Sequence, residues 1–232
     1  WVTAVIGFVA TFFLALLTFF SDPFARSVVV PPDGQGLNPL LQNVGMLFHP
    51  PTLYVGFVGF TVPFAFAVAA LITGQLGNEW LQITRRWALF AWGFLAVGNL
   101  LGAQWAYVEL GWGGYWGWDP VENVALLPWL TSTAFLHSVI VQERRGMLKV
   151  WNLSLLLASF ILSVFGTFVV RSGLLSSVHA FAVSAVGPWF LAYLAAVAII
   201  GIGLMIYRLP ALQSDRAIES VTSRESGFLL NN

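Results

Sequence analysis

Three histidines are the side chains of this 232-residue sequence best suited to hold a metal-containing cofactor. His49 directly precedes two prolines, His179 closes a short serine-containing stretch, and His137 lies within an apolar run. Neutral imidazole is a common ligand of haem iron. Taken singly, a histidine near a membrane interface is more often solvated or hydrogen-bonded than ligating, so both interpretations stay open for His49 and His179.

An aromatic segment with interleaved glycines is the second chemical signal; it reads Trp112-Gly113-Gly114-Tyr115-Trp116-Gly117-Trp118-Asp119-Pro120. Tryptophan and tyrosine gather at membrane interfaces as aromatic belts, which gives this segment a purely structural explanation. Asp119, Pro120 and Glu122 are also typical of a helix start, as N-cap, N1 and N3 residues of a capping box. The two carboxylates therefore have a structural explanation too.

The glycines of this segment favour a second interpretation. Glycine lets a backbone approach a flat object closely, and clustered indoles present a wide apolar face. An anchoring belt needs no such glycines. We therefore predict a platform for a large planar ligand, formed by Trp112, Tyr115, Trp116 and Trp118.

The composition indicates which elements must position these residues. Of all residues 58% are hydrophobic and only 9% are charged, whereas a soluble domain carries about 25% charged residues. Six apolar runs are long enough to be membrane helices: 2–20, 52–72, 87–107, 121–141, 151–170 and 188–207. The fourth contains Glu122 and Pro128, so it is either a full span or a short interfacial helix leading into one. We predict an all-α, polytopic membrane helical bundle with about six transmembrane helices.

Basic residues predict the orientation of this bundle. They cluster in alternate connections and in the tail: Arg85, Arg86, Arg144, Arg145, Lys149, Arg208, Arg216 and Arg224. By the positive-inside rule that side is cytoplasmic, and the loops 21–51, 107–120 and 171–187 lie outside. We divide the chain into a transmembrane domain, 1–207, and a polar cytoplasmic segment, 208–232, which is either a tail or the start of a loop of a longer chain. His49, His179 and the aromatic segment then share the outer side.

Two further residues join the candidate site. Arg171 shares an outer loop with His179 and is suited to pair with haem propionates, while Arg26 is the only other basic residue outside. Either arginine also suits a topology-setting role. His137 lies inside a span, where an ionisable residue is a functional hypothesis by default. It is too far inward to share an iron with His49 and His179.

Other classes of function receive no support. The formal net charge is zero, which gives no sign of nucleic-acid binding, and the chain has no cysteine for thiolate sites or disulfides. No P-loop, dinucleotide fingerprint or Ser/His/Asp set is visible. The sequence starts without Met and has no signal-peptide pattern, so we expect an internal piece of a longer protein.

Several motifs resemble one family. The aromatic segment is similar to the WWD signature of the haem-handling proteins of cytochrome c biogenesis, which include the F-type and C-type maturation proteins (CcmF and CcmC) and the CcsA-type synthases. Further segments resemble the F-type, the haem lyase component, in particular: 36–42, 48–51 with 54–56, 166–173 and 177–181. The C-type proteins share the aromatic segment and two outer histidines.

The resemblance implies roles for individual residues. His49 and His179 match two outer histidines that ligate incoming haem. His137 matches one of two intramembrane histidines that hold a permanent haem b, whose second ligand lies beyond residue 232. Trp112, Trp116, Trp118 and Asp119 match the catalytic WWD segment.

The resemblance also implies a reaction and partners. Haem arrives from a CcmE-type haem chaperone, and apocytochrome c presents a Cys-x-x-Cys-His segment reduced by CcmH-type subunits. Its thiols add to the haem vinyl groups at the outer face of the bacterial inner membrane, with electrons from haem b and quinol. The alternatives are haem transport or hand-off without ligation, a secondary transporter with a midplane site, and a quinol-reactive redox subunit at His137.

Overall fold

A computed structural model describes residues 1–26, 28–34, 36–173, 175, 177–179, 186–213 and 226–227. Its described part is built of helices: α1 Val2–Ala15, continued by a π-helical turn Leu16–Phe20, α2 Gly45–Gly59, α3 Thr61–Thr73, α4 Glu79–Glu109, α5 Pro120–Arg145, α6 Lys149–Arg171 and α7 Gly187–Arg208. Short 3₁₀ turns cover Pro39–Leu41 and Leu209–Leu212. Most of the predicted tail, and the Ala180-Phe181 part of one motif, lie outside the described residues.

Six helical segments are long and apolar enough to cross a membrane, which confirms the predicted fold class. α2 and α3 together make the second span, because the helix breaks at Phe60. Pro63 explains the break, since it has no N–H to donate to the carbonyl of Gly59 and its ring crowds that carbonyl. α5 is one continuous helix despite Pro128, so the fourth run is a full span.

The start of α5 is the helix terminus that matters most for the site. The Asp119 side chain caps it, Pro120 occupies its first position, and Glu122 completes the capping box. Glu122 Oε2 accepts hydrogen bonds from the backbone N–H groups of Gly117 (3.0 Å) and Asp119 (3.2 Å). The end of α4 and the start of α5 thus meet at one end of the bundle, which we call the site end.

Glycines let α2 and α4 pack unusually close. A Cβ atom added to Gly56 would lie 2.7 Å from the backbone N of Leu95, and one added to Gly98 would lie 2.7 Å from Cα of Leu53. Real side chains do not fit at such distances, so both positions require glycine. Small residues at helix contacts are the usual means of close approach between membrane helices. This interface fixes α2 against α4 at the site end.

Polar clamps hold the other helices together. Asn152 of α6 is fully buried; it accepts a hydrogen bond from Ser138 and donates one to Gln142 Oε1 (2.8 Å), both on α5. Arg208 of α7 donates to the carbonyls of Leu71 and Ile72, each at 2.8 Å, at the end of α3. These carbonyls lie in the last turn of α3, where no intrahelical N–H reaches them, so the guanidinium supplies their hydrogen bonds.

Candidate functional site

A cavity of about 310 Å³ lies at the site end, and both His49 and His179 line it. Its volume falls at the low end of the range of about 300–1,000 Å³ typical of small-molecule sites. α2, α4, α5, α6 and the flanking loops supply its mostly apolar walls: Leu41, Met46, His49, Pro50, Leu53, Tyr54, Phe57, Trp105, Val121, Val124, Ala125, Gly166, Thr167, Val170, Arg171 and His179.

His49 is held against α4 by glycine. Its Nδ1 lies 2.8 Å from the carbonyl oxygen of Gly98, an obligate acceptor, so Nδ1 carries the proton and donates. The ring fits only because Gly102 has no side chain, since an added Cβ would lie 2.6 Å from Cε1 of His49. In the neutral imidazole Nε2 therefore keeps its lone pair for another partner.

His179 is held by the residue that caps α5. Its Nδ1 lies 3.1 Å from Oδ2 of Asp119, and the two side chains are only 15% and 10% exposed. Ser177 Oγ donates to the same carboxylate oxygen (2.8 Å) and accepts from the backbone N–H of His179 (3.0 Å). With Nδ1–H committed to Asp119, Nε2 of this imidazole is also left with its lone pair.

The aromatic segment flanks this arrangement without lining the cavity. Trp118 is 73% exposed and adopts φ +56°, a left-handed conformation that is strained for a residue with a bulky side chain. Trp112 and Tyr115 are also exposed, and Trp112 packs directly over Gly117. The side chains of Trp112, Tyr115, Trp116 and Trp118 are absent from the cavity wall described above. The segment is linked to the cavity wall by the hydrogen bond between Asp119 and His179.

Trp105 is the indole that does line the cavity, and sequence reasoning missed it. It is only 2% exposed, its ring centroid lies 5.5 Å from that of His179 in an edge-on arrangement, and its Nε1 donates to the carbonyl of Leu40 (3.0 Å). Trp105 lies near the end of the third apolar run of the sequence, where a tryptophan is expected to be an interfacial anchor and nothing more. The spacing Gly98-x-x-x-Gly102 was the available signal that this face of α4 packs closely.

His137 lies within α5 and is not among the residues that line the cavity. Its side chain is exposed on the outside of the described bundle, and its Nδ1 donates to the carbonyl of Thr133 at 2.8 Å. Nε2 therefore points away from its own helix backbone with a lone pair. An exposed imidazole with Nε2 free of its own helix can act as a ligand to a group bound on this face of α5.

The two outer arginines are placed differently. Arg171 ends α6 and lines the cavity, whereas Arg26 is exposed and is not among the lining residues. Among the described residues no three His, Cys, Asp or Glu side chains come together as a metal site. Two imidazoles on one apolar cavity can supply two ligands to a metal whose other ligands come from a flat macrocycle such as haem.

Fold and site together define a class: a polytopic helical membrane protein with a paired-imidazole cavity at one end. Similarity to known proteins identifies the family within this class. The family model for the cytochrome C assembly protein matches residues 1–176, so the chain belongs to that family. The predicted similarity to the F-type maturation proteins is confirmed by relatives of that type.

Two such relatives are cytochrome c-type biogenesis proteins CcmF. The one from Pseudomonas aeruginosa is 50% identical over 233 residues, and the one from Escherichia coli is 48% identical over 234 residues. Each alignment covers 100% of this chain but only 35% and 36% of the relative, so the chain spans about a third of their length. A solved structure, the cytochrome c heme lyase CcmF, superposes with a TM-score of 0.75 at 35% identity, covering 99% of this chain and 33% of that one.

Proposed function

We propose that this chain is the part of a cytochrome c biogenesis protein that holds haem for attachment to apocytochrome c. The observation that carries the proposal is the pair of imidazoles, His49 and His179, on one apolar cavity, each with Nδ1–H already bonded. Haem would be the substrate here, and Nε2 of His49 and Nε2 of His179 would be its iron ligands. The apolar wall that includes Trp105 would contact the ring, and Arg171, which lines the same cavity, would pair with a propionate.

Attachment then needs positioning more than acid–base chemistry. Each cysteine thiol of the apocytochrome adds across one vinyl group, so a C–S bond and a C–H bond form while S–H and the C=C π bond are lost. This addition involves no net oxidation or reduction. The chain holds no cysteine of its own, so this part of the protein forms no thioether with the haem that it holds. Holding the reactants in place supplies the main catalytic effect.

The exposed aromatic segment suits a docking role at the mouth of the cavity. Trp112, Tyr115 and Trp118 present apolar faces to the outside of the described bundle, and Asp119 joins them to His179. A haem chaperone of the CcmE type or the apocytochrome segment would meet this surface before reaching the iron. We place the site end on the periplasmic side of a bacterial inner membrane, because Arg85, Arg144 and Lys149 lie at the opposite end.

His137 fits one ligand position of a second, resident haem b. Bound there, that haem supplies one-electron redox chemistry. The contribution of this chain is to orient the imidazole through the Thr133 carbonyl, at 2.8 Å, so that Nε2 faces outward.

The test is to replace His49 or His179 with Ala in the full-length protein and to measure haem retention and covalent cytochrome c in cells. Both should fall sharply, and added imidazole should restore haem retention because it refills the ligand position. Normal levels of both in either variant would refute the assignment. Purified protein given haem, apocytochrome and reductant then separates ligation from hand-off, since a hand-off subunit would bind haem but form no thioether.

A further inference from the structure

The two imidazoles of the cavity differ in the charge of the group that holds them. Nδ1–H of His49 donates to the carbonyl of Gly98, a neutral acceptor, at 2.8 Å. Nδ1–H of His179 donates to the carboxylate of Asp119 at 3.1 Å. A carboxylate partner draws the proton of Nδ1 more strongly than a carbonyl does, and so makes Nε2 the better metal ligand.

The carboxylate of Asp119 is fixed in place for this task. Its Oδ2 accepts hydrogen bonds from the backbone N–H of Val121 (2.9 Å) and from Ser177 Oγ (2.8 Å), in addition to His179. The first bond caps the N-terminus of α5, so the carboxylate is tied to a membrane helix. Ser177 also accepts from the backbone N–H of His179, which fixes the backbone beside the ring.

We propose that His179 is the axial ligand that stays on the iron and His49 is the one that the apocytochrome histidine replaces, with Asp119 as the positioning residue that sets this order. The proposal rests on the proposed function above. In the exchange the bond from iron to Nε2 of His49 breaks and a bond to the incoming imidazole forms, with no change of oxidation state. The released His49 keeps its hydrogen bond to Gly98.

The chain offers a matched pair of variants for testing the role of Asp119. Asp119→Asn keeps an N-cap of equal quality and a neutral acceptor at the Oδ2 position, so His179 would be held as His49 is. Glu122→Gln removes a carboxylate from the same capping box without touching either imidazole, and serves as the control. Asp119→Asn should weaken haem retention roughly tenfold, the low end of losses for outer-shell partners, and raise the haem midpoint potential.

The decisive experiment compares His49→Gly and His179→Gly in the full-length protein, with haem counted after gel filtration over a series of imidazole concentrations. The variant that carries both His49→Gly and His179→Gly measures how much haem binds elsewhere in the protein. His49→Gly should keep more haem and recover at roughly tenfold lower imidazole than His179→Gly, the same outer-shell factor. That difference should vanish when Asp119→Asn is added and persist when Glu122→Gln is added.

The outcomes separate the two levels of the proposal. Equal or better retention in His179→Gly, or a difference that survives Asp119→Asn, would overturn the exchange order while leaving both histidines as ligands. A double variant that retains as much haem as the native protein would instead overturn the proposed function.

Discussion

Gly102 offers the sharpest test of how α4 shapes the cavity, through Gly102→Ala. The added Cβ would lie 2.6 Å from Cε1 and 3.0 Å from Nδ1 of His49. Carbon atoms in contact lie about 3.5–4.0 Å apart, so the ring must withdraw from α4 by about 1 Å. That motion stretches the 2.8 Å bond to Gly98 to about 3.8 Å, which no longer counts as a hydrogen bond.

The energetic cost of Gly102→Ala follows from these two effects. A lost hydrogen bond costs about 0.5–1.5 kcal/mol and overpacking adds about 1–3 kcal/mol. Overpacking acts on the haem-free protein as well, so only the part of this cost that depends on the position of the ring in the haem-bound state weakens binding. The sum of about 1.5–4.5 kcal/mol therefore sets an upper limit of about a thousandfold on the loss of haem affinity, and the hydrogen bond alone corresponds to about two- to tenfold. Spectroscopic titration of the purified full-length protein with haem measures this loss directly.

Gly93→Ala is the matched control, because it lies on the same helix and an added Cβ there meets nothing within 4 Å. It should bind haem as the native protein does, since alanine only favours the helix. If Gly102→Ala also bound haem with native affinity, haem binding would not depend on the position of the His49 ring against α4. Close packing of this ring on Gly102 would then have no role in the site.

Three further predictions concern the cavity wall and the bundle. Trp105→Phe removes one hydrogen bond and part of the cavity wall. A loss of about 1 kcal/mol should lower haem retention about fivefold, as measured by gel filtration of the haem-loaded protein. Unchanged retention would show that Trp105 does not contact the haem. In a spectroscopic titration with haem, Arg171→Gln should weaken binding severalfold, whereas Arg26→Gln should leave it unchanged. Equal effects of the two substitutions would show that Arg171 does not belong to the site. Arg208→Met should lower the free energy of unfolding in detergent by about 1–3 kcal/mol, whereas the exposed Arg144→Met should not, as judged by thermal melting.

The sequence predicted the spans well because apolar length is a property of the chain alone. Six runs and their alternation of basic residues sufficed to place His49 and His179 at the same end, and the structure puts them on one cavity. Helix breaks were less visible. Pro63 divides the second span at Phe60, yet the run stays apolar on both sides of the break.

Packing direction could not be predicted in the same way. Trp105 and Trp118 are both tryptophans near the site end, but one faces the cavity and the other is 73% exposed. Which way each points depends on the contact between α2 and α4 and on the left-handed turn at Trp118. Asp119 shows the same limit: its capping role is local and was predicted, while its bond to His179 joins residues 60 positions apart.

The clamp at Arg208 has a consequence for biogenesis of the protein itself. Its guanidinium reaches back 137 residues along the chain to the carbonyl of Leu71. Because membrane helices are inserted in the order of their synthesis, α3 enters the bilayer long before Arg208 is available to donate to its terminal carbonyls. Until α7 is inserted, water at the interface must donate to those carbonyls instead.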